Sequence, residues 1–282
     1  MKYKTEPDYV FEIPPVKNPV LYAWRIFAKI AAITLFGLGG LLLGIIAFPI
    51  MKIIWRKKAD FQKNARRFTS ALFRFFTAVT SVLSLAKVKV DDREKLRNLK
   101  GCVLVANHPS LFDVVVLISQ IPNANCIVNS YLKKNILAAV VASLYITNDH
   151  EYSELAGLCR KTIADGNVLI IFPEGTRSTI YGQNRYKKGA ARMALAAECP
   201  VVPVFIGGND KLGLRKKDSL FLFNHTDCYR YDLFVKDEIN SSDFKDLPEP
   251  AAARRLTEKI REALSYENNR QHLTGVNPAR SK

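Results

Sequence analysis

The stretch Val103-Leu-Val-Ala-Asn-His-Pro-Ser-Leu-Phe-Asp113 decides the fold. Val103 to Ala106 is a short apolar run, the pattern of a buried strand. It ends at Asn107-His108. Pro109 suits the first turn of a helix, because its fixed φ fits and its missing N–H is not needed there. The run from Ser110 to Gln120 follows as that helix. His108 is left at the carboxyl end of a strand, the edge where open α/β sheets bind ligands. Asp113, about one turn into the helix, is close enough to reach back to the imidazole. A carboxylate on one ring nitrogen fixes the tautomer and prepares the other nitrogen to take a proton. The bland alternative is a loop histidine beside an acid that merely favours a helix N-terminus.

A second stretch shifts the balance. Ile170-Ile-Phe-Pro-Glu-Gly-Thr-Arg-Ser178 follows another apolar run, Val168 to Phe172, and carries Glu174 and Arg177 around a turn glycine. Two polar clusters at the ends of two buried strands meet at one edge of a sheet. From Val88 onward the chain alternates in the same way. Strands are predicted at Val88–Val90, Val103–Ala106, Asn125–Val128, Val168–Phe172, Val201–Ile206 and Tyr229–Val235. Helices are predicted at Leu111–Gln120, Leu132–Leu144, Tyr152–Asp165, Gly189–Glu198 and Ala251–Tyr266. Such alternation implies an α/β fold with a mixed, mostly parallel sheet covered by helices on both faces.

These motifs carry a resemblance. Asn107-His108-Pro109 with Asp113, then Phe172-Pro-Glu-Gly-Thr-Arg-Ser178, then Lys188-Gly-Ala-Ala and Cys199-Pro-Val-Val-Pro-Val204, taken in order, resemble the glycerolipid acyltransferase family. That family includes the 1-acylglycerol-3-phosphate acyltransferases. The resemblance runs from about Leu83 to Val235. It implies transfer of a fatty acyl group from an acyl thioester, acyl-CoA or acyl-carrier protein, to a lipid hydroxyl such as that of a lysophospholipid. No cofactor is expected besides the thioester co-substrate, and no histidine or cysteine cluster has the spacing of a metal site.

Composition agrees with a membrane-facing protein. The chain has 282 residues, 48% hydrophobic, with 42 Lys and Arg against 26 Asp and Glu, a net charge of +16. That excess favours an anionic surface. The cations crowd beside apolar segments and no nucleic-acid motif accompanies them, so membrane lipids and not nucleic acid are the expected partners. Five scattered cysteines without a Cys-x-x-Cys pair read as reduced core thiols.

Residues 1–29 are expected to form an irregular, proline-bearing arm, and no pattern of a cleaved signal peptide is seen there. Residues 30–86 are expected to anchor the chain. Ile30 to Met51 has no charge and is long enough to cross a bilayer core. Gly37, Gly39, Gly40, Gly44 and Pro49 equally suit a bent or re-entrant segment. The cations Lys52, Arg56, Lys57, Lys58, Lys63, Arg66 and Arg67 follow. Positive flanks stay cytoplasmic, which places the next domain on that side, at the inner membrane in a bacterium. Phe68 to Leu85 is a second apolar stretch, interrupted only by Arg74, and suits an interfacial helix. The family resemblance implies that such a helical pair enters the membrane from one side. A buried core helix followed by a solvated charge run is the alternative. Residues 87–266 form the expected acyltransferase domain and 267–282 a polar, frayed tail.

His108 is the candidate general base and Asp113 its orienting partner. Asn107, Glu174, Gly175, Thr176, Arg177 and Ser178 are the candidate substrate-binding residues. The Arg177 guanidinium and the turn amides suit an anionic group. Glu174 is read either as orienting the acceptor or as anchoring the loop, with a structural Glu174–Arg177 ion pair as the plain alternative. No Gly-x-Ser-x-Gly elbow is present, so direct transfer is simpler than an acyl-enzyme. One departure from the family stands out. Where it carries cations in a second motif, this chain has Asn129-Ser130-Tyr131-Leu132 and Ile146-Thr147-Asn148-Asp149. That points to an acceptor other than lysophosphatidate, another lysolipid or an unusual lipid-conjugated alcohol. A non-catalytic lipid-binding protein on the same scaffold is the second alternative.

Overall fold

The structure is a computed structural model. It describes residues 16–131, 143–178, 185–216, 218, 222, 224, 225 and 227–274. The expected helix Leu132–Leu144 falls almost wholly outside these residues.

Helix α1 (Pro19–Leu42) continues through a π-helical turn at Leu43–Ala47 into α2 (Phe48–Ile54). This helix is long and apolar enough, over Pro19–Ile54, to cross a membrane. Its start corrects the expected irregular arm 1–29. The Asn18 side chain accepts from the Leu21 amide and Pro19 occupies the first turn, so the helix begins well before the uncharged run. Helix α3 (Lys58–Val82) turns back alongside it. Phe36 packs on Phe73 and Phe76, and Phe48 on Phe61, so the two helices form an antiparallel hairpin.

Next come β1 (Ala86–Val90), α4 (Arg93–Asn98), β2 (Cys102–Ala106), α5 (Asp113–Gln120), β3 (Ala124–Val128) and β4 (Ile146–Thr147). They are followed by α6 (Tyr152–Ala164), β5 (Val168–Ile171), α7 (Gly189–Ala196), β6 (Val201–Ile206), β7 (Tyr229–Val235) and α8 (Glu249–Leu264). The seven strands lie in the order β1-β7-β6-β2-β5-β3-β4. All neighbouring pairs are parallel except β6 with β7.

The sheet separates two cores, as its side-chain alternation requires. Cys102, Leu104 and Ala106 of β2 face the core shared with α3 and α5. Val103 and Val105 face the one shared with α6, α7 and α8. Strands β2, β5 and β6 are buried along their whole length, which is why they read as continuous apolar runs.

The expected frayed tail is also corrected in part. Residues up to Thr274 fold back over the end of the sheet. The Gly208 amide donates to the His272 carbonyl and the Thr274 amide to the Gly208 carbonyl.

Candidate active site

Strand β2 ends on Asn107, which is fully buried. Its amide group clamps β2 to β6: the Ile206 amide donates to Oδ1 at 2.7 Å and Nδ2 donates to the Ile206 carbonyl at 3.0 Å. Asn107 was expected to bind substrate. It instead completes the ladder at the point where the strand stops, because both of its polar atoms are engaged inside the protein.

The chain then turns without the expected helical start at Pro109. Helix α5 begins at Asp113, so this acid stands at the first helical residue and not a turn inside. From there its carboxylate closes a ring. Oδ2 accepts the Ser110 amide at 2.7 Å and lies 2.7 Å from His108 Nδ1, while the Ser110 hydroxyl donates to Oδ1 at 2.5 Å. Asp113 is fully buried, and the His108 side chain keeps 17% exposure. A carboxylate facing Nδ1 places the proton on that nitrogen and the lone pair on Nε2. The imidazole is also stacked on the Phe172 ring, with centroids 4.1 Å apart and planes at 23°. Two independent contacts therefore fix its orientation.

The second motif arrives at the end of β5, next to β2 in the sheet. The Ser178 amide donates to the His108 carbonyl at 2.6 Å, and the His108 amide donates to Ser178 Oγ at 2.9 Å. Ser178 Oγ donates in turn to Glu174 Oε1, which also receives the His108 amide at 3.3 Å. Glu174 and Ser178 are both buried. They hold the histidine backbone, so the anchoring reading of Glu174 is the one this geometry fits. Gly175 has φ +67°, a conformation that glycine adopts without cost. A Cβ there would meet Lys187 Nζ at 2.7 Å, so the Lys187 side chain lies across the turn.

Arg177 does something the sequence did not suggest. Its Nη1 donates to the carbonyls of Leu214 and Arg215 at 3.2 and 2.8 Å. The Leu111 amide donates to the same Leu214 carbonyl at 2.8 Å. The chain after β6 is thus tied to both motifs. Thr176 is half-buried beside Arg177. In the second-motif region, Asn148 Oδ1 accepts the Ser130 amide and Asn129 Oδ1 accepts the Tyr131 amide, each at 2.9 Å. These asparagines cap a turn where cations were expected from the resemblance.

Three further residues reach the cluster from outside the motifs. The Tyr231 hydroxyl, on β7, lies 3.0 Å from Ser110 Oγ. Burial pushes that phenol well above its ordinary value, with Asp113 adding to the effect. The Tyr266 hydroxyl accepts from Asn107 Nδ2 at 3.4 Å. Lys211 lies over the Tyr231 ring. Tyr231 is one of the buried positions that alternate along β7, but no local pattern marks what its hydroxyl meets.

An imidazole oriented by a buried carboxylate thus stands at the end of a strand in a mostly parallel sheet. Residues 87–207 match the family model described as Acyltransferase. The chain is similar to glycerolipid acyltransferases over this region and beyond it. It is 31% identical over 207 residues to a 1-acyl-sn-glycerol-3-phosphate acyltransferase of Chlamydomonas reinhardtii, covering 69% of this chain and 60% of that one. It is 27% identical over 127 residues to the human 1-acyl-sn-glycerol-3-phosphate acyltransferase beta, covering 42% and 45%. The chain spans about half the length of the curated relatives it matches. Its fold is similar to the crystal structure of the 1-acyl-sn-glycerophosphate acyltransferase PlsC of Thermotoga maritima. The TM-score is 0.61 at 18% identity, over 86% of this chain and 94% of that one.

Proposed function

We propose that the protein transfers a fatty acyl group from an acyl thioester, acyl-CoA or acyl-carrier protein, to the hydroxyl of a lysophospholipid in a membrane. The observation that carries this reading is the 2.7 Å contact of His108 Nδ1 with fully buried Asp113. As the acceptor oxygen attacks the thioester carbonyl, its proton passes to His108 Nε2. Asp113 stabilises the imidazolium, the C–S bond breaks, and the departing sulfur recovers the proton as a thiol. Transfer is direct. Ser110 and Ser178 are buried and engaged with carboxylates, which leaves neither hydroxyl placed as a nucleophile. The apolar helix Pro19–Ile54 and the basic run after it seat the protein in the lipid phase with its domain on the cytoplasmic side.

The acceptor is read as less highly charged than lysophosphatidate. Asn129 and Asn148 cap a turn, and the guanidinium of Arg177 bonds to backbone carbonyls. A phosphomonoester carries close to two charges near neutral pH and usually needs more than one cation to leave water. Lysophosphatidate is the competing acceptor, since it is the substrate in the relatives' names.

The test uses the full chain in lipid nanodiscs, with a panel of lysolipids and both thioesters, scored for acylated product. Zwitterionic lysolipids are expected to be used better than lysophosphatidate, and His108→Ala to lose transfer. Preference for lysophosphatidate overturns the acceptor reading. Undiminished product from His108→Ala overturns the mechanism.

A further inference from the structure

Lys211 follows β6 by a short turn and is 3% exposed, although it opens a run of cations in the sequence. Its Nζ donates to the carbonyls of Asn209 at 2.5 Å, Arg230 at 2.7 Å and Gly207 at 3.3 Å. The ammonium stands 4.7 Å from the centre of the Tyr231 ring. The backbone around it is tightly packed. A Cβ at Gly208, where φ is +93°, would fall 2.0 Å from the Arg230 carbonyl oxygen, and one at Gly207 would fall 2.5 Å from that of His272. The pocket for the ammonium is therefore a built feature of this end of the sheet.

From the other face of Tyr231's environment, a chain of contacts runs into the site. The Tyr231 hydroxyl meets Ser110 Oγ, and Ser110 donates twice to Asp113, which holds His108. Asp113 is a fully buried carboxylate whose close partners are neutral donors whenever His108 is neutral. An uncompensated buried anion is costly and tends to neutralise by taking a proton.

We infer that Lys211 is a positioning residue for the His108–Asp113 pair. Its buried ammonium, seated on Tyr231, supplies the positive charge that keeps Asp113 ionised while His108 accepts and releases a proton. Its bearing on rate rests on the general-base reading above, but the charge effect itself is measurable without turnover. The charged groups acting on Lys211 are Asp113, Asp210 and Asp232, which favour the ammonium, and Arg230, which opposes it. Glu174 and Asp113 are the acids set around His108. Burial brings the lysine down to about 8, so the charge is present at neutral pH and is lost in mild alkali. A lysine needed only to tie three carbonyls would hold the fold without moving the protonation midpoint of His108.

The experiment separates charge from hydrogen bonding. Lys211→Gln keeps two of the three donors and removes the charge, while Lys211→Arg keeps the charge. The imidazole resonances of His108, assigned by their loss in His108→Ala, are followed against pH in the full-length protein in detergent micelles. Removing a nearby cation makes the pair hold its proton more tightly, so the midpoint in Lys211→Gln is expected to rise by about one pH unit. The acid limb of kcat/KM is expected to move up by the same amount, a roughly tenfold loss on its acidic side, with KM for the thioester unchanged. Lys211→Arg is expected to leave both where they were. A folded Lys211→Gln protein with an unmoved midpoint overturns the inference. If that variant does not fold, the unmodified protein decides. Its His108 resonances are expected to show a second step near pH 8, absent from Lys211→Arg, and no such step in the unmodified protein overturns the inference. A moved midpoint in a protein that transfers no acyl group would sink the acyl-transfer reading and leave the charge assignment standing.

Discussion

Helices α3 and α5 pack on each other yet divide their residues in opposite ways. In α5 every residue but Val114 is buried, as expected of a helix held between the sheet and another helix. In α3 the buried face carries Arg66, Thr69, Ser70, Thr77 and Thr80 alongside Ala65 and Phe73, while Phe68, Phe75 and Val82 are exposed. Two side chains of α3 bond across to α5: Ser70 Oγ donates to the Ile118 carbonyl at 2.7 Å and Arg74 Nε to that of Ser119 at 3.3 Å. Helix α1 is more extreme, exposing Trp24, Phe27, Ile30, Ile33 and Leu38. A water-facing surface favours the reverse arrangement, and so large an apolar patch marks an interaction surface. The edge at His108 gathers polar groups inside protein, and the hairpin turns large apolar side chains outward, as the proposed reaction and the proposed apolar surround would each require.

The sharpest way to break this contrast lies at the catalytic edge. His108→Ala is expected to lower transfer by about 10²–10⁴ while thermal stability and membrane partition stay as they are, and Asp113→Asn to lower it less. Parallel loss of stability would mean that the edge serves the fold first. Next in size, Asn107→Ala strips both partners from the Ile206 backbone groups. It should destabilise by about 2–5 kcal/mol, read as a shifted denaturant midpoint. An unshifted midpoint would return Asn107 to the substrate. On the hairpin side, replacing exposed Phe27, Ile30 and Phe75 by serine should move protein into the soluble fraction without lowering the domain's melting temperature. High salt alone should release none, because apolar burial is not screened. Full solubility of the unmodified chain would contradict the apolar surround.

The smallest effect concerns pH. Burial pushes the thiols of Cys102, Cys126 and Cys159 up to about 12 and that of Cys199 to about 11. In the unfolded chain they ionise near 9, so the folded state holds more protons above that pH. Stability should therefore fall as pH rises past about 9. Serine at Cys126 should flatten that slope slightly, and an unchanged slope would show that other groups set it.

Much of the fold was legible because its strands are buried on both faces. The runs at Val201–Ile206 and Tyr229–Val235 agree with β6 and β7 residue for residue, and β2 and β5 differ by one residue at an end. Helix α4, six residues with only Leu96 buried, and the two-residue β4 leave no periodic signal. The start of α1 was available in Asn18-Pro19, yet the cluster of prolines before it reads as irregular chain. In the site, the pairing of His108 with Asp113 was readable from spacing. The inward roles of Asn107 and Ser178 were not, and that of Glu174 stood as one of two readings, since a polar residue in a motif looks the same whether it faces a ligand or a backbone amide. Lys211 was hidden for a related reason: in a run with Arg215, Lys216 and Lys217 it reads as one more cation, either solvated or facing headgroups or the phosphates of a carrier.

The two reversed strands, β7 and β1, have a consequence for how the chain could be re-engineered. A parallel β7 would need a crossover of a dozen or more residues to return to the far edge of the sheet. Running antiparallel to β6, it begins at the end of the sheet where β6 stops, so Ile206 and Tyr229 both lie toward the edge that carries His108. Because β1 follows β7 in parallel, with Ala86 beside Tyr229, the hairpin's last helix is delivered to that same edge. The segment is framed by two fixed strands and fastened midway through Leu214. It can thus be exchanged as a cassette between members of one fold without rethreading any other part of the sheet.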